Sequence, residues 1–184
     1  MNQNPDKLTT IESFDHYLHK CRTIFLQKNQ DYGPSWRVLR PPSLTDQILI
    51  KIARARSIDE KGTQQVDDPI VGEFYGLINY SIMALIQLHR GTSVDGDWDV
   101  SQLQTEYDEQ VTIIRDLLAK KNHDYGEIWK MMRLSSIIDI IYMKVHRIIK
   151  IEENAGTTLI SEGIDANYHD IVNYSIFALI KLEG

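Results

Sequence analysis

Apolar and polar positions alternate along this chain with the period of helices. Between residues 11 and 29 the apolar and aromatic side chains fall at Ile11, Phe14, Tyr17, Leu18, Cys21, Ile24 and Phe25, the spacing of one helix face. Thr9 or Thr10 can cap the start, and Asn29, Asp31 and Gly33, followed by Pro34, predict the stop. A second helix is predicted over 44–58 from Leu44, Ile48, Ile52 and Ala55, with Ser43 as N-cap and Asp46 three positions on. The polar stretch 60–68 contains Gly62 and reads as a loop, and Pro69 can open a third helix that runs to Leu88. Residues 89–101 hold two glycines and several acids and serve as a linker. The pattern then starts again. A helix over 103–121 turns Tyr107, Val111, Ile114, Leu117 and Leu118 inward and stops at 122–126. A fifth, 136–153, is apolar nearly all round, and a last one covers 166–182. No alternating run is long enough to predict a strand, so the fold class is all-α, with six helices.

The second half is a copy of the first. Lys28-Asn29-Gln30-Asp31-Tyr32-Gly33-Pro34-Ser35-Trp36 recurs as Lys121-Asn122-His123-Asp124-Tyr125-Gly126-Glu127-Ile128-Trp129. Asn79-Tyr80-Ser81-Ile82 recurs as Asn173-Tyr174-Ser175-Ile176, displaced by one further residue. The chain thus divides into a three-helix repeat over 1–92 and a linker with a second repeat over 93–184. Neither unit is large enough to cover its own apolar faces, so the two are expected to share one helical bundle. The nearly all-round apolar fifth helix further suggests a homodimer.

Composition narrows the partners. The 184 residues carry a formal charge of -6 and a pI near 5.5, without any Lys/Arg run, which argues against a general nucleic-acid surface. No apolar run reaches the ~18 residues that span a bilayer, so neither a signal peptide nor a membrane helix is expected, and the protein reads as cytoplasmic. Cys21 is the single cysteine and corresponds to Ile114 in the second copy, the pattern of a buried core thiol rather than a nucleophile.

Candidate chemistry comes from the charged groups kept in both copies: Asp15/Asp108, Arg22/Arg115, Lys28/Lys121, Asp31/Asp124, Arg40/Arg133, Asp46/Asp139, Lys51/Lys144 and Arg54/Arg147. Five of these pairs are basic in an acidic chain, which fits either a pocket for an anion or ion pairs inherited from one ancestral unit. Lys51 and Arg54, like Lys144 and Arg147, are three apart on a helix and can converge on one ligand. Left unpaired on the apolar fifth helix, Asp139, Lys144 and Arg147 would each cost several kcal/mol, so the competing reading pairs them with Asp139, Asp124 or Asp170. The third helices differ: Glu73 corresponds to Asn167, and Gly76 to Asp170. Glu73 with Asn79, and Asp170 with Asn173, could present oxygen ligands to Mg²⁺ or Mn²⁺. In the repeated turn, Tyr32/Tyr125 and Trp36/Trp129 offer faces for a base and Arg40/Arg133 offers charge for its phosphates, or else the same residues simply dock the turn onto the core. There is no glycine-rich phosphate loop, His-Glu-x-x-His helix, Gly-x-Ser-x-Gly elbow or paired cysteine set. His16 and His19 correspond to Glu109 and Thr112 and do not complete a zinc site.

The tandem Lys-Asn-x-Asp-Tyr-Gly-x-x-Trp turns, the Asp46-Lys51-Arg54 and Asp139-Lys144-Arg147 series and the closing Asn-Tyr-Ser-Ile helices resemble the uncharacterised "nucleotide modification associated domain" family over nearly the whole chain. The resemblance implies a small all-helical protein of nucleotide metabolism. More distantly, the order of the Tyr-Gly turn, the Lys-x-x-Arg helix and Asp170-x-x-Asn173-Tyr174 is similar to MazG-like nucleoside triphosphate pyrophosphatases. That likeness implies Mg²⁺-dependent hydrolysis or binding of (deoxy)nucleoside phosphates. Asp124, Asp139 and Asp170 would then be catalytic, with Glu73, Asp139 and Asp170 on the metal. Lys51, Arg54, Lys144 and Arg147 would take phosphates. The opposing expectation is a non-catalytic nucleotide-sensing or protein-interaction module built from the same groups.

Overall fold

The computed structural model describes residues 9–93, 98–157 and 162–184. Among them the chain is helical throughout, with no strand: α1 Thr10–Tyr32, α2 Pro41–Lys61, α3 Ile70–Arg90, α4 Val100–Tyr125, α5 Leu134–Glu153 and α6 Ile164–Glu183. A single 3₁₀ turn follows α1 at Ser35–Val38, and its copy follows α4 at Ile128–Met131.

Local chemistry accounts for the boundaries, and several differ from expectation. Thr9 closes a capping box with Glu12, and Asp99 closes one with Gln102, which starts α4 at Val100 instead of 103. Asn29 and Asp31 do not stop α1. The Asn29 amide donates to Phe25 O at 2.7 Å inside the helix, and the chain turns only at Gly33, φ 65°. Its copy Gly126 has φ 62°, so both stops need the backbone freedom that glycine alone has. Ser43 is not the cap of α2. The helix begins at Pro41, whose ring fixes φ near the helical value, and no side chain caps it.

α2, α3, α6 and α5 close a four-helix ring, each packing on the next, while α1 and α4 pack on each other and against α3 and α6. One apolar core runs through both repeats. A pseudo-two-fold relation shows in the ion pairs between α1 and α4. Arg22 forks onto Asp108 at 2.7 and 2.9 Å, and its copy Arg115 forks onto Asp15, the copy of Asp108, at 2.7 and 2.9 Å. Two of the eight repeated charge pairs are therefore spent on joining the repeats.

α5 is covered more completely by its own chain than its composition suggests. Ile137, Ile138, Ile141, Val145, Ile148 and Ile151 are buried, leaving Met143 as its exposed large apolar side chain. α3 is, by length and composition, apolar enough to cross a membrane, contrary to the count of apolar runs, and it lies mostly buried in the core. Cys21 is a buried free thiol, and burial pushes its pKa far up, the setting of a core thiol.

Candidate functional site

The C-terminal end of α4, the turn after it, α5 and α6 enclose a pocket of about 470 Å³. At the corresponding place in the first repeat is a smaller one of about 360 Å³, lined by Lys28, Lys51, Glu73, Gly76, Asn79 and Tyr80 among others. The wall of the larger pocket holds their counterparts Lys121, Lys144, Asp170, Asn173 and Tyr174. The duplication has thus produced two versions of one site.

In the second repeat, Asp170 sits at the inner end between two lysines. Lys121, from the last turns of α4, donates to Oδ1 at 2.6 Å, and Lys144 of α5 lies 2.5 Å from Oδ2. Burial pushes the Asp170 carboxyl up, but the bonds and charges of Lys121 and Lys144 outweigh it and hold the pKa below the usual value. Two ammonium groups against one carboxylate leave the cluster with a positive excess. Burial, reinforced by the Asp170 charge, raises the neighbouring Tyr174 hydroxyl, which stays protonated and can donate.

Two turns further along α6 the lining is aromatic. The repeated turn folds Trp129 inward, where its ring stacks on Phe177 with centroids 4.3 Å apart and planes within 5°. Tyr125, beside it at the mouth, is 74% exposed. Along α6, Asp170, Asn173 and Phe177 follow at helical spacing, so charge, amide and ring form one line into the pocket.

The first repeat arranges its charges differently. Its carboxylate is one turn earlier, at Glu73, where Lys51 reaches it at 3.3 Å and Arg54 bonds it directly. To reach Glu73, the Lys51 chain lies across Gly76, and a Cβ at that position would collide with its Cδ and Cε. Lys51 therefore fills space that, in the second copy, Asp170 occupies.

The other sequence candidates are scattered. Asp139 is exposed and faces Arg56 at 3.6 Å. Asp124 is exposed and, among the described residues, meets the ring of its neighbour His123 at 3.1 Å. Arg147 is exposed, with no carboxylate partner among the described residues, as are Arg40 and Arg133 at the starts of α2 and α5. Tyr32 is exposed, while Trp36 is buried and donates to Asn29 at 3.0 Å. Glu73, Asp139 and Asp170, the expected metal ligands, thus belong to three separate ion pairs. The carboxylates lining the larger pocket are Asp170, bracketed by two ammonium groups, and the exposed Glu162. That donor set does not fit a resident divalent cation, which needs several converging oxygens, and no group of three potential ligands occurs among the described residues. Lys121 stands among the repeated charges but with no ligand role expected of it, and no role is expected of Asn122 or Phe177 either. Lys121 and Asn122 open the repeated turn motif, which was the available signal, whereas Phe177 corresponds to Met83 and carries no such mark.

A family model described as Nucleotide modification associated domain 1 matches residues 28–88 and, a second time, 121–182. No curated protein and no solved structure matches the chain. The more distant likeness to MazG-like pyrophosphatases finds no support in these comparisons.

Proposed function

The chain belongs to the nucleotide modification associated domain 1 family, and from that premise we propose that it binds a nucleoside phosphate in the pocket of its second repeat. The observation that carries this reading is the pairing, in one cavity, of two convergent lysines with a stacked aromatic wall. An ammonium has three donors, and Asp170 uses one from each lysine, so both keep capacity for phosphate oxygens. Tyr125 supplies an exposed face for a planar ring, beside the Trp129–Phe177 stack, whose facing sides already cover each other. The cavity volume of about 470 Å³ falls in the range of small-molecule sites, ~300–1,000 Å³.

Thermal stabilisation and titration calorimetry with deoxynucleoside mono-, di- and triphosphates test it, because a ligand that binds only the folded state raises its melting temperature. Lys121→Ala should weaken binding about tenfold, the loss of one charge-assisted contact, while Lys28→Ala, at the same place in the first repeat, should not. Absence of any shift in the wild type, or equal effects of the two substitutions, would refute the assignment. Chromatography of the same samples incubated with Mg²⁺ separates a hydrolase from a module that senses nucleotide without turning it over.

A further inference from the structure

The two copies differ in which polar groups they leave open. In the first, the Asn79 side chain is fully engaged: its Oδ1 accepts from the Tyr107 hydroxyl at 2.8 Å and its Nδ2 donates to Cys21 O at 3.1 Å. Its copy Asn173 is 3% exposed, and neither Nδ2 nor Oδ1 has a partner. For Oδ1 the sequence supplies the cause, since the residue corresponding to Tyr107 is Phe14, fully buried and without a hydroxyl. The same holds at the turn. Trp36 Nε1 is bonded to Asn29, whereas Trp129 Nε1 is buried and unpartnered although Asn122 occupies the corresponding place. A buried group left unpaired lowers stability. The second repeat bears this cost in the wall of the larger pocket, and the first, with Lys51 laid across Gly76, does not.

Resting on the proposed function, we propose that Asn173 reads the hydrogen-bonding edge of the ligand's ring, and that the second repeat alone takes ligand, the first being its self-satisfied copy. A carboxamide offers a donor beside an acceptor, and the edge of a nucleobase offers the complementary pair, so the two can join by two parallel bonds. Asn173 stands one turn from Asp170 and one turn from Phe177, which places it between the phosphate end and the stacking end of the cavity. Asn173 lines the cavity while its amide atoms are closed off from solvent, so contact with the ring's edge requires the side chain to rotate toward the cavity. The ligand class is then a nucleotide whose base, and not its sugar phosphate alone, is recognised.

Calorimetry with the deoxynucleoside monophosphates and with 2-deoxyribose 5-phosphate, which has no base, tests this on wild type, Asn173→Leu, Phe14→Tyr and Tyr107→Phe. Wild type should prefer at least one nucleotide over the sugar phosphate by about tenfold or more, the worth of one bidentate contact. Asn173→Leu should abolish that preference while leaving the sugar phosphate affinity within about twofold. Phe14→Tyr restores the missing hydroxyl, so it should engage Asn173, raise the melting temperature and abolish the preference as well. Tyr107→Phe, acting on the other copy, should leave nucleotide affinity unchanged. An undiminished preference in Asn173→Leu overturns the proposal, and this variant decides alone if Phe14→Tyr does not fold. Wild type that binds nucleotide and sugar phosphate equally removes the role of Asn173 and leaves phosphate binding standing, whereas no binding of either removes both.

Discussion

The Asp170 carboxyl is pushed up by burial and pulled further down by Lys121 and Lys144, so its pKa in the folded protein lies below that of the unfolded chain. The linkage has a definite sign. A depressed carboxyl contributes stability that is present above the unfolded value of ~3.9 and is lost as pH falls through the folded pKa. Glu152 acts in the opposite direction, since burial raises it despite its bond from Thr45; its contribution is present below the unfolded value of ~4.3 and is lost as pH rises through the folded pKa. Thermal melts from pH 7 to 3 should therefore show Asp170→Asn less stable than wild type at neutral pH, by about 3 kcal/mol, the low end for breaking a buried pair because Lys121 is partly exposed and can turn to water. Below about pH 4 the variant should lose stability less steeply than wild type. Parallel curves would show that this carboxylate is not the one that titrates. The sequence revealed the exchange of Glu73 and Gly76 for Asn167 and Asp170, but not which bases would meet Asp170. Lys144 and Arg147 are neighbours by spacing, yet the first turns inward to α6 and the second stays in solvent. That choice is made by a tertiary partner, which helical periodicity does not encode.

At the scale of elements, the helix stops were legible because Gly33 and Gly126 are the chemistry of the stop. The start of α2 was misplaced because a proline in the first turn does silently what a serine cap does with a hydrogen bond. The role of Asp15, Arg22, Asp108 and Arg115 was half legible. Their repetition marked them as important, but only the antiparallel packing of α1 on α4 shows that each pairs with the other repeat. Such partly exposed pairs contribute ~0.2–1 kcal/mol each. A double-mutant cycle should find coupling in that range between Arg22 and Asp108 and, by the pseudo-two-fold relation, nearly the same between Arg115 and Asp15. Exchanging the partners as Arg22→Asp with Asp108→Arg should recover most of what Asp108→Arg alone loses. Coupling in one pair and none in the other would break the claimed symmetry of the seam.

At the scale of the whole molecule, the order of the ring decides whether a repeat is a folding unit. Periodicity gave six helices, and the duplication gave three plus three, but neither says which helices touch across the repeats. The ring α2–α3–α6–α5 has two of its four seams, α3 on α6 and α2 on α5, between repeats. Polar links also join the repeats: the Thr45 hydroxyl of α2 joins Glu152 of α5 at 2.8 Å and the Tyr168 hydroxyl of α6 at 2.6 Å, and Tyr17 of α1 donates to Leu179 O of α6 at 3.4 Å. Separating the repeats opens both seams at once. Re-exposing a buried Ile, Leu or Phe costs ~1.5–3 kcal/mol, and α3 and α6 together bury many, against a total stability of ~5–15 kcal/mol for an ordinary domain. Fragments 1–92 and 93–184, expressed singly, should therefore lack a cooperative thermal transition as monomers. Mixed in equal amounts, they should recover one, together with a one-to-one complex by light scattering. Cooperative unfolding of either fragment alone would mean that the repeats carry separate cores, and with that the comparison between an open and a closed copy within one shared bundle would lose its footing.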